Sequence, residues 1–146
     1  ELKRDIDILL IGDDLAAFIL LSKIKKEFYD REIILFNSAK LNLNKIYNRS
    51  KIAVILNNLI LKTDFDLSLY NAILSGAFVI SDFKTNTEKL FSGDLETFNT
   101  AEELIHKINY FLKNPKEREK KSLILRNHAL EKHTFKNRAA EITKVL

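Results

Sequence analysis

Three aliphatic blocks stand out along the chain: IDILLI at 6–11, KIAVILN at 51–57 and AFVIS from Ala77. Short apolar runs rich in Ile, Leu and Val are what parallel strands covered on both faces look like. REIILFN at 31–37 is predicted as another strand and DLETF at 94–98 as the last. Between the blocks the spacing becomes helical. From Leu15, apolar residues recur at Phe18, Leu21, Ile24 and Phe28, with Lys23, Lys25 and Lys26 toward the end that the helix dipole makes favourable for cations. A helix is expected from Asp66 to Ser75, carrying Leu67, Leu69, Tyr70, Ile73 and Leu74. Gly76 ends it, since glycine accepts the left-handed conformation a helix terminus needs and lets strand and helix approach closely. NLNKIYNRS at 42–50 is a short helix or loop, and NTEKLF at 86–91 a short helix. Thr100 and Glu103 form a capping box before an apolar face of Leu104, Ile105, Ile108, Phe111 and Leu112. Asn114 and Pro115 close that helix and open another, with Glu117 placed to cap it. A final helix starts near Phe135 and carries Ala139, Ile142, Val145 and Leu146.

Strands alternating with helices predict an α/β fold, a doubly wound Rossmann-like parallel sheet of about five or six strands with helices on both faces and extra C-terminal helices. Ligands in such folds bind outside the carboxyl ends of the strands, at the point where strand order reverses. The loops after Ile11, Leu56 and Ile80 are therefore the ones that matter. Residues 1–146 read as a single Rossmann-like domain. The absence of an initiator methionine, and of any methionine, suggests a piece excised from a longer two-domain chain.

Hydrophobic residues make up 46% of the chain and charged ones 30%, the balance of a soluble globular domain. No run approaches the roughly 20 apolar residues of a membrane span, and the N-terminus has no signal-peptide core, so a cytoplasmic location is expected. The chain has no cysteine, which excludes disulfides, thiolate metal sites and a cysteine nucleophile. The net charge of +4 is unevenly placed, for residues 113–138 hold nine Lys or Arg against three Glu. Phe135 is the one aromatic residue there, so nucleic acid is not an expected partner. That run reads as a solvated helix face; weak contact of Lys113 to Arg138 with an anionic membrane surface, at the inner face of the membrane, is the second reading.

GDDLAAF at 12–18 is a strand-to-helix turn, where backbone amides can hold phosphate. It has one glycine and neither a GxGxxG fingerprint nor a P-loop lysine. Its bland reading is an N-cap. Asp13 and Asp14 also match the acidic pair of receiver domains, but the position for a phospho-accepting aspartate is held by Asn57 and Asn58. His106, His128 and His133 show no metal-ligand spacing, and no GxSxG elbow is present.

The stretch YNAILSGAFVISD, Tyr70 to Asp82, resembles the helix-glycine-strand signature of group 1 glycosyltransferases of the GT-B architecture, in particular the CgeB-like branch with its FEALASGAFVLTD. EKLF at 88–91, TAEELIHKINYFLKNPKEREK at 100–120 and the closing HTFKNR at 133–138 continue the likeness. The resemblance implies the C-terminal, donor-binding domain of a two-lobed enzyme whose N-terminal acceptor lobe is a separate partner. It implies a nucleotide-diphosphate sugar as substrate, no metal cofactor, and an isolated domain that is inactive. Leaving-group charge would be met by a helix N-terminus and basic side chains.

Carried over position by position, the resemblance puts Gly12 and Asp13 at the first turn of the donor site and Asn57, Asn58 and Lys62 in the loop after the third strand. Ser68 and Asn71 would face the diphosphate and ribose, with Asp82 beside the sugar. No catalytic residue is nominated. Thr63 and Asn71 stand where many group 1 enzymes carry paired glutamates, and Ser68 where they carry an arginine. Asp64 and Asp66 add negative charge beside the expected phosphate, leaving Lys62 as the nearby cation. The alternative is a non-catalytic interaction module, either a degenerate Rossmann-like domain that forms a homodimer or a pseudo-receiver. A five-stranded sheet with its first strand second from the edge would favour the pseudo-receiver.

Overall fold

A computed structural model of the chain describes residues 3–12, 14–36, 43–56, 67–82, 89, 91–132 and 135–145. The apolar blocks form strands β1 (Ile6–Ile11), β3 (Ser50–Ile55) and β4 (Phe78–Asp82), with β2 (Ile33–Phe36) and β5 (Glu96–Phe98) shorter than their blocks suggest. All neighbours pair in parallel, in the order β2-β1-β3-β4-β5. The fold is the expected Rossmann-like doubly wound sheet, with β1 second from the edge. Every β1 residue is buried, Asp7 included. Its carboxylate is paired with Lys51 on β3 at 2.6 Å and accepts the Glu32 N–H at 3.1 Å, as a buried charge must be if it is to stay ionised.

Six helices complete the described chain: α1 (Leu15–Glu27), α2 (Asn44–Arg49), α3 (Leu67–Leu74), α4 (Ala101–Lys113), α5 (Pro115–Lys132) and α6 (Phe135–Val145). Right-handed crossovers divide them between the faces. Leu20 and Ile24 of α1 and Leu104, Ile108 and Phe111 of α4 pack on Ile8, Leu10, Ile52, Val54 and Ile80. Tyr47 of α2, Leu69 and Ile73 of α3 and Leu125 and Ala129 of α5 pack on Leu9, Ile11, Ala53, Ile55 and Val79. No helix of the described residues is long and apolar enough to cross a membrane.

The α1 stripe is rotated from its predicted position. Leu15 and Phe18 are exposed, while Ala17, Leu20 and Ile24 face the sheet. LAAFILL is apolar all round, so its period does not select a face, and small Ala17 allows the closer approach. The Thr100 cap forms as read, its Oγ1 accepting the Glu103 N–H at 3.1 Å, although Glu103 reaches back to the N–H of Asn99 at 2.9 Å. Glu117 does not cap α5. It accepts the Tyr110 hydroxyl at 2.6 Å and so ties α4 to α5. The short helix expected at 86–91 falls mostly outside the described residues.

Gly76 has φ +76° and closes α3 with paired bonds, its own N–H to Ile73 O at 2.9 Å and the Ala77 N–H to Ala72 O at 3.2 Å. This is the Schellman termination, which needs a left-handed residue where glycine stands. Side chains satisfy two further carbonyls at this end. Arg4 Nη2 and Ser122 Oγ donate to Gly76 O at 2.9 and 2.8 Å, and Arg126 Nε to Leu74 O at 2.8 Å. The arginines of α5 that read as solvated are thus turned inward: Arg118 is buried and Arg126 half-buried.

Candidate functional site

In a sheet ordered β2-β1-β3-β4-β5, the chain leaves β1 toward one edge and β3 toward the other. The crossovers part between the carboxyl ends of β1 and β3, the place where doubly wound folds open their ligand crevice. Ile11, Ile55 and Ser81 lie in one row across the sheet. Gly12, Leu56 and Asp82 follow each of them and form the rim.

The rim is closely packed at Gly12. A Cβ there would lie 2.8 Å from Ala17 Cβ and 3.3 Å from Leu56 Cδ1, so the missing side chain is what seats the first turn of α1 on the strand ends. Its N–H donates to Phe36 O at 3.2 Å, and the Leu56 N–H to Ile11 O at 3.1 Å. Both amides extend the ladder and are spent. Asp14 is the N-cap of α1, with Oδ1 accepting the Ala17 N–H at 2.8 Å. The described half of the acidic pair therefore serves its own helix. Asp13 lies outside the described residues.

Ser68 sits in the first turn of α3 and Asn71 one turn on, both half-buried. Because α3 runs back from the carboxyl end of β3 to the start of β4, its amino end shares the side of the sheet that holds Gly12 and Asp82. Ser81 Oγ, behind the rim, donates to Ile55 O at 3.3 Å and lies 3.4 Å from Asp82 Oδ1. That hydroxyl fixes the β4 terminus against β3. Ser81 is not among the residues predicted for the site; a polar residue at the end of an apolar strand is its signal in the sequence. Asn57, Asn58 and Lys62, with Thr63, Asp64 and Asp66, lie outside the described residues.

The sheet keeps the histidines apart, with His106 on α4 over one face and His128 on α5 over the other. His128 Nδ1 meets Asp94 Oδ2 at 3.2 Å, and its ring packs edge-on to Phe91. His133 lies outside the described residues. Among the described residues no three His, Asp or Glu side chains are arranged to hold a metal ion.

A model of the glycosyl transferase-like family matches residues 5–144. The chain belongs to that family. No curated protein matches it. Strand order taken alone would have favoured the pseudo-receiver, because β1 is second from the edge; the same order serves other doubly wound folds with unrelated sites. Family membership over nearly the whole chain decides the matter, and it agrees with Asp14 being spent as a helix cap. This glycosyl transferase-like domain thus has a five-stranded parallel sheet whose switch point, Gly12, Asp82 and the amino end of α3 share one side.

Proposed function

We propose that the domain binds the nucleotide-sugar donor of a GT-B glycosyltransferase of the CgeB-like branch, as its C-terminal half. The observation that carries this is the amino end of α3 on the switch-point side of the sheet in a glycosyl transferase-like chain. A helix amino end offers unpaired N–H groups and about half a positive charge to a diphosphate. Ser68 would hydrogen-bond a phosphate oxygen, and Asn71, able to donate and accept, the ribose hydroxyls. Asp82 would face the sugar; Gly12, Asp13, Asn57, Asn58 and Lys62 would frame the base and diphosphate. The reading needs no metal. It assigns the acceptor and the catalytic base to an N-terminal partner lobe and expects the isolated domain to be inactive. It places the protein in the cytoplasm.

Calorimetric titration with UDP-, GDP- and ADP-sugars tests it. One of them should bind, and Asn71→Ala should weaken it by about tenfold, the worth of a hydrogen-bonded pair to ribose. Silence of all three at millimolar concentration rejects donor binding. A non-catalytic module, forming a homodimer through this lobe, is the second reading. It is favoured by the spent amides of Gly12 and Leu56 and by Asn71 standing in place of a glutamate. Light scattering showing a concentration-independent monomer would remove the dimer.

A further inference from the structure

The amino ends of the strands, opposite the donor crevice, hold a cavity of about 310 Å³. Arg4 from before β1, Lys51 of β3, Phe78 of β4, and Arg118, Glu119 and Arg126 of α5 line it. The charges do not cancel. Lys51 is neutralised by Asp7 at 2.6 Å. Among the described residues, Arg4, Arg118 and Arg126 have no carboxylate within ion-pair distance. Against three guanidinium charges stand Glu119 and the carbonyl end of α3, worth about half a charge, leaving an excess of about +1.5.

Each guanidinium is held in place by backbone carbonyls. Arg4 donates to Ser50 O at 2.5 Å and Gly76 O at 2.9 Å, Arg126 to Leu74 O at 2.8 Å, and Arg118 to Phe111 O at 2.8 Å. A guanidinium has five N–H donors, so these bonds orient the three groups and leave most of their donors unspent among the described residues. Arg118 is only 6% exposed. Burial pulls its pKa below the ordinary value, with Glu119 opposing and Arg4 adding to the effect. A charge so buried ordinarily has an anionic partner.

We propose that this cavity is a second ligand site, which binds the terminal phosphoryl or diphosphoryl group of a small molecule between Arg4, Arg118 and Arg126. The planar forks of arginine match phosphate oxygens two at a time, which a single carboxylate would leave partly unused. The volume is at the lower end for small-molecule sites and admits more than a bare ion. Phe78 supplies an apolar wall for the rest of the ligand. The site stands independently of donor binding, for it shares no residue with the α3 amino end, the crevice rim or the loop after β3.

Titration of the full chain with inorganic pyrophosphate, followed by calorimetry and by the Nε–H resonances of the arginines, tests the site. Pyrophosphate should bind saturably and shift the resonances of Arg118 and Arg126. Arg126→Gln should weaken it at least about tenfold, the loss of a charge-assisted contact. Glu119→Gln, an exposed change that leaves the fold intact, should tighten it by about threefold. Asn71→Ala should leave it unchanged, which separates this site from the donor crevice. Co-sedimentation with phosphatidic acid vesicles, competed by pyrophosphate, would identify a lipid headgroup as the source; pyrophosphate binding without co-sedimentation would identify a soluble one. No pyrophosphate binding at millimolar concentration, or binding indifferent to both Arg126→Gln and Glu119→Gln, overturns the proposal.

Discussion

The two ends of the sheet are built from different materials. At the amino end, charged side chains hold the structure: Arg49 grips Asp5 with two bonds, Lys51 meets Asp7, and Arg4 and Arg126 cover the carbonyls that end α3. At the carboxyl end the described contacts are small and mostly neutral: Gly12 against Ala17 and Leu56, Ser81 on Ile55, Asp14 on the Ala17 amide. A dense set of charges therefore does not by itself mark the end of the sheet at which doubly wound folds take their ligands. At Gly12 the missing side chain is what lets the first turn of α1 sit against the strand ends.

Gly12 and Gly76, one at each end, put that contrast to the test. Gly12→Ala should have the larger effect, since its Cβ would be pressed to 2.8 Å from Ala17 Cβ and the strand end or helix must shift. Overpacking of this kind costs about 1–3 kcal/mol. Thermal melting should fall by about 3 °C or more per kcal/mol in a domain of this size. Adding Ala17→Gly should restore much of the loss, beyond the cost of glycine in a helix; a double variant as unstable as the sum of the singles would show that the clash is not the cause.

Gly76→Ala comes next, at about 1–2 kcal/mol. Here the neighbouring atoms are 3.8 Å or more away, and the cost lies in the φ of +76°. Asparagine tolerates the left-handed region, so Gly76→Asn should recover part of the stability, whereas Gly12→Asn should be worse than Gly12→Ala. Equal behaviour of asparagine at both positions, measured by urea denaturation, would erase the distinction between a steric and a conformational glycine.

Much of this architecture could be read beforehand, because strands buried on both faces announce themselves as unbroken aliphatic runs. β1, β3 and β4 were visible for that reason, as was the glycine that ends α3. The face of α1 was not, because helical periodicity carries no information where every position is apolar. The predicted donor site was legible only as one side of the sheet and a set of positions along the chain. The arginine cavity was hidden for another reason. Its residues come from positions 4, 51, 118 and 126, and only the fold brings them together. A trace of it exists in the spacing of the buried residues Arg118, Ser122, Leu125 and Ala129 on one stripe of α5, where a charged and a polar residue occupy core positions. The surrounding lysines drowned that signal in an apparently solvated basic run.

The smallest expected effect concerns pH, and it belongs to the amino end. The Asp7 side chain is 12% exposed. Burial alone would raise its pKa; the bonds from Lys51 and from the Glu32 N–H outweigh that and hold it below the usual 3.8. Asp5, nearly half exposed, is brought down to about 2 by its hydrogen bonds from Arg49. Both groups titrate lower in the folded chain than in the unfolded one, so their contribution is complete above about pH 5 and fades as the pH drops from about 4 toward 2. The urea midpoint should be level at neutral pH and decline in that window. Asp7→Asn should lower the level part, because Lys51 loses its partner, and make the decline shallower. Added salt should shrink the Asp5 share more than the Asp7 share, since exposed pairs are screened and buried ones much less. An Asp7→Asn chain whose midpoint falls as steeply with acid as the parent's would mean that the buried pair does not hold the amino end, and the contrast between the two ends would have to rest on the arginines alone.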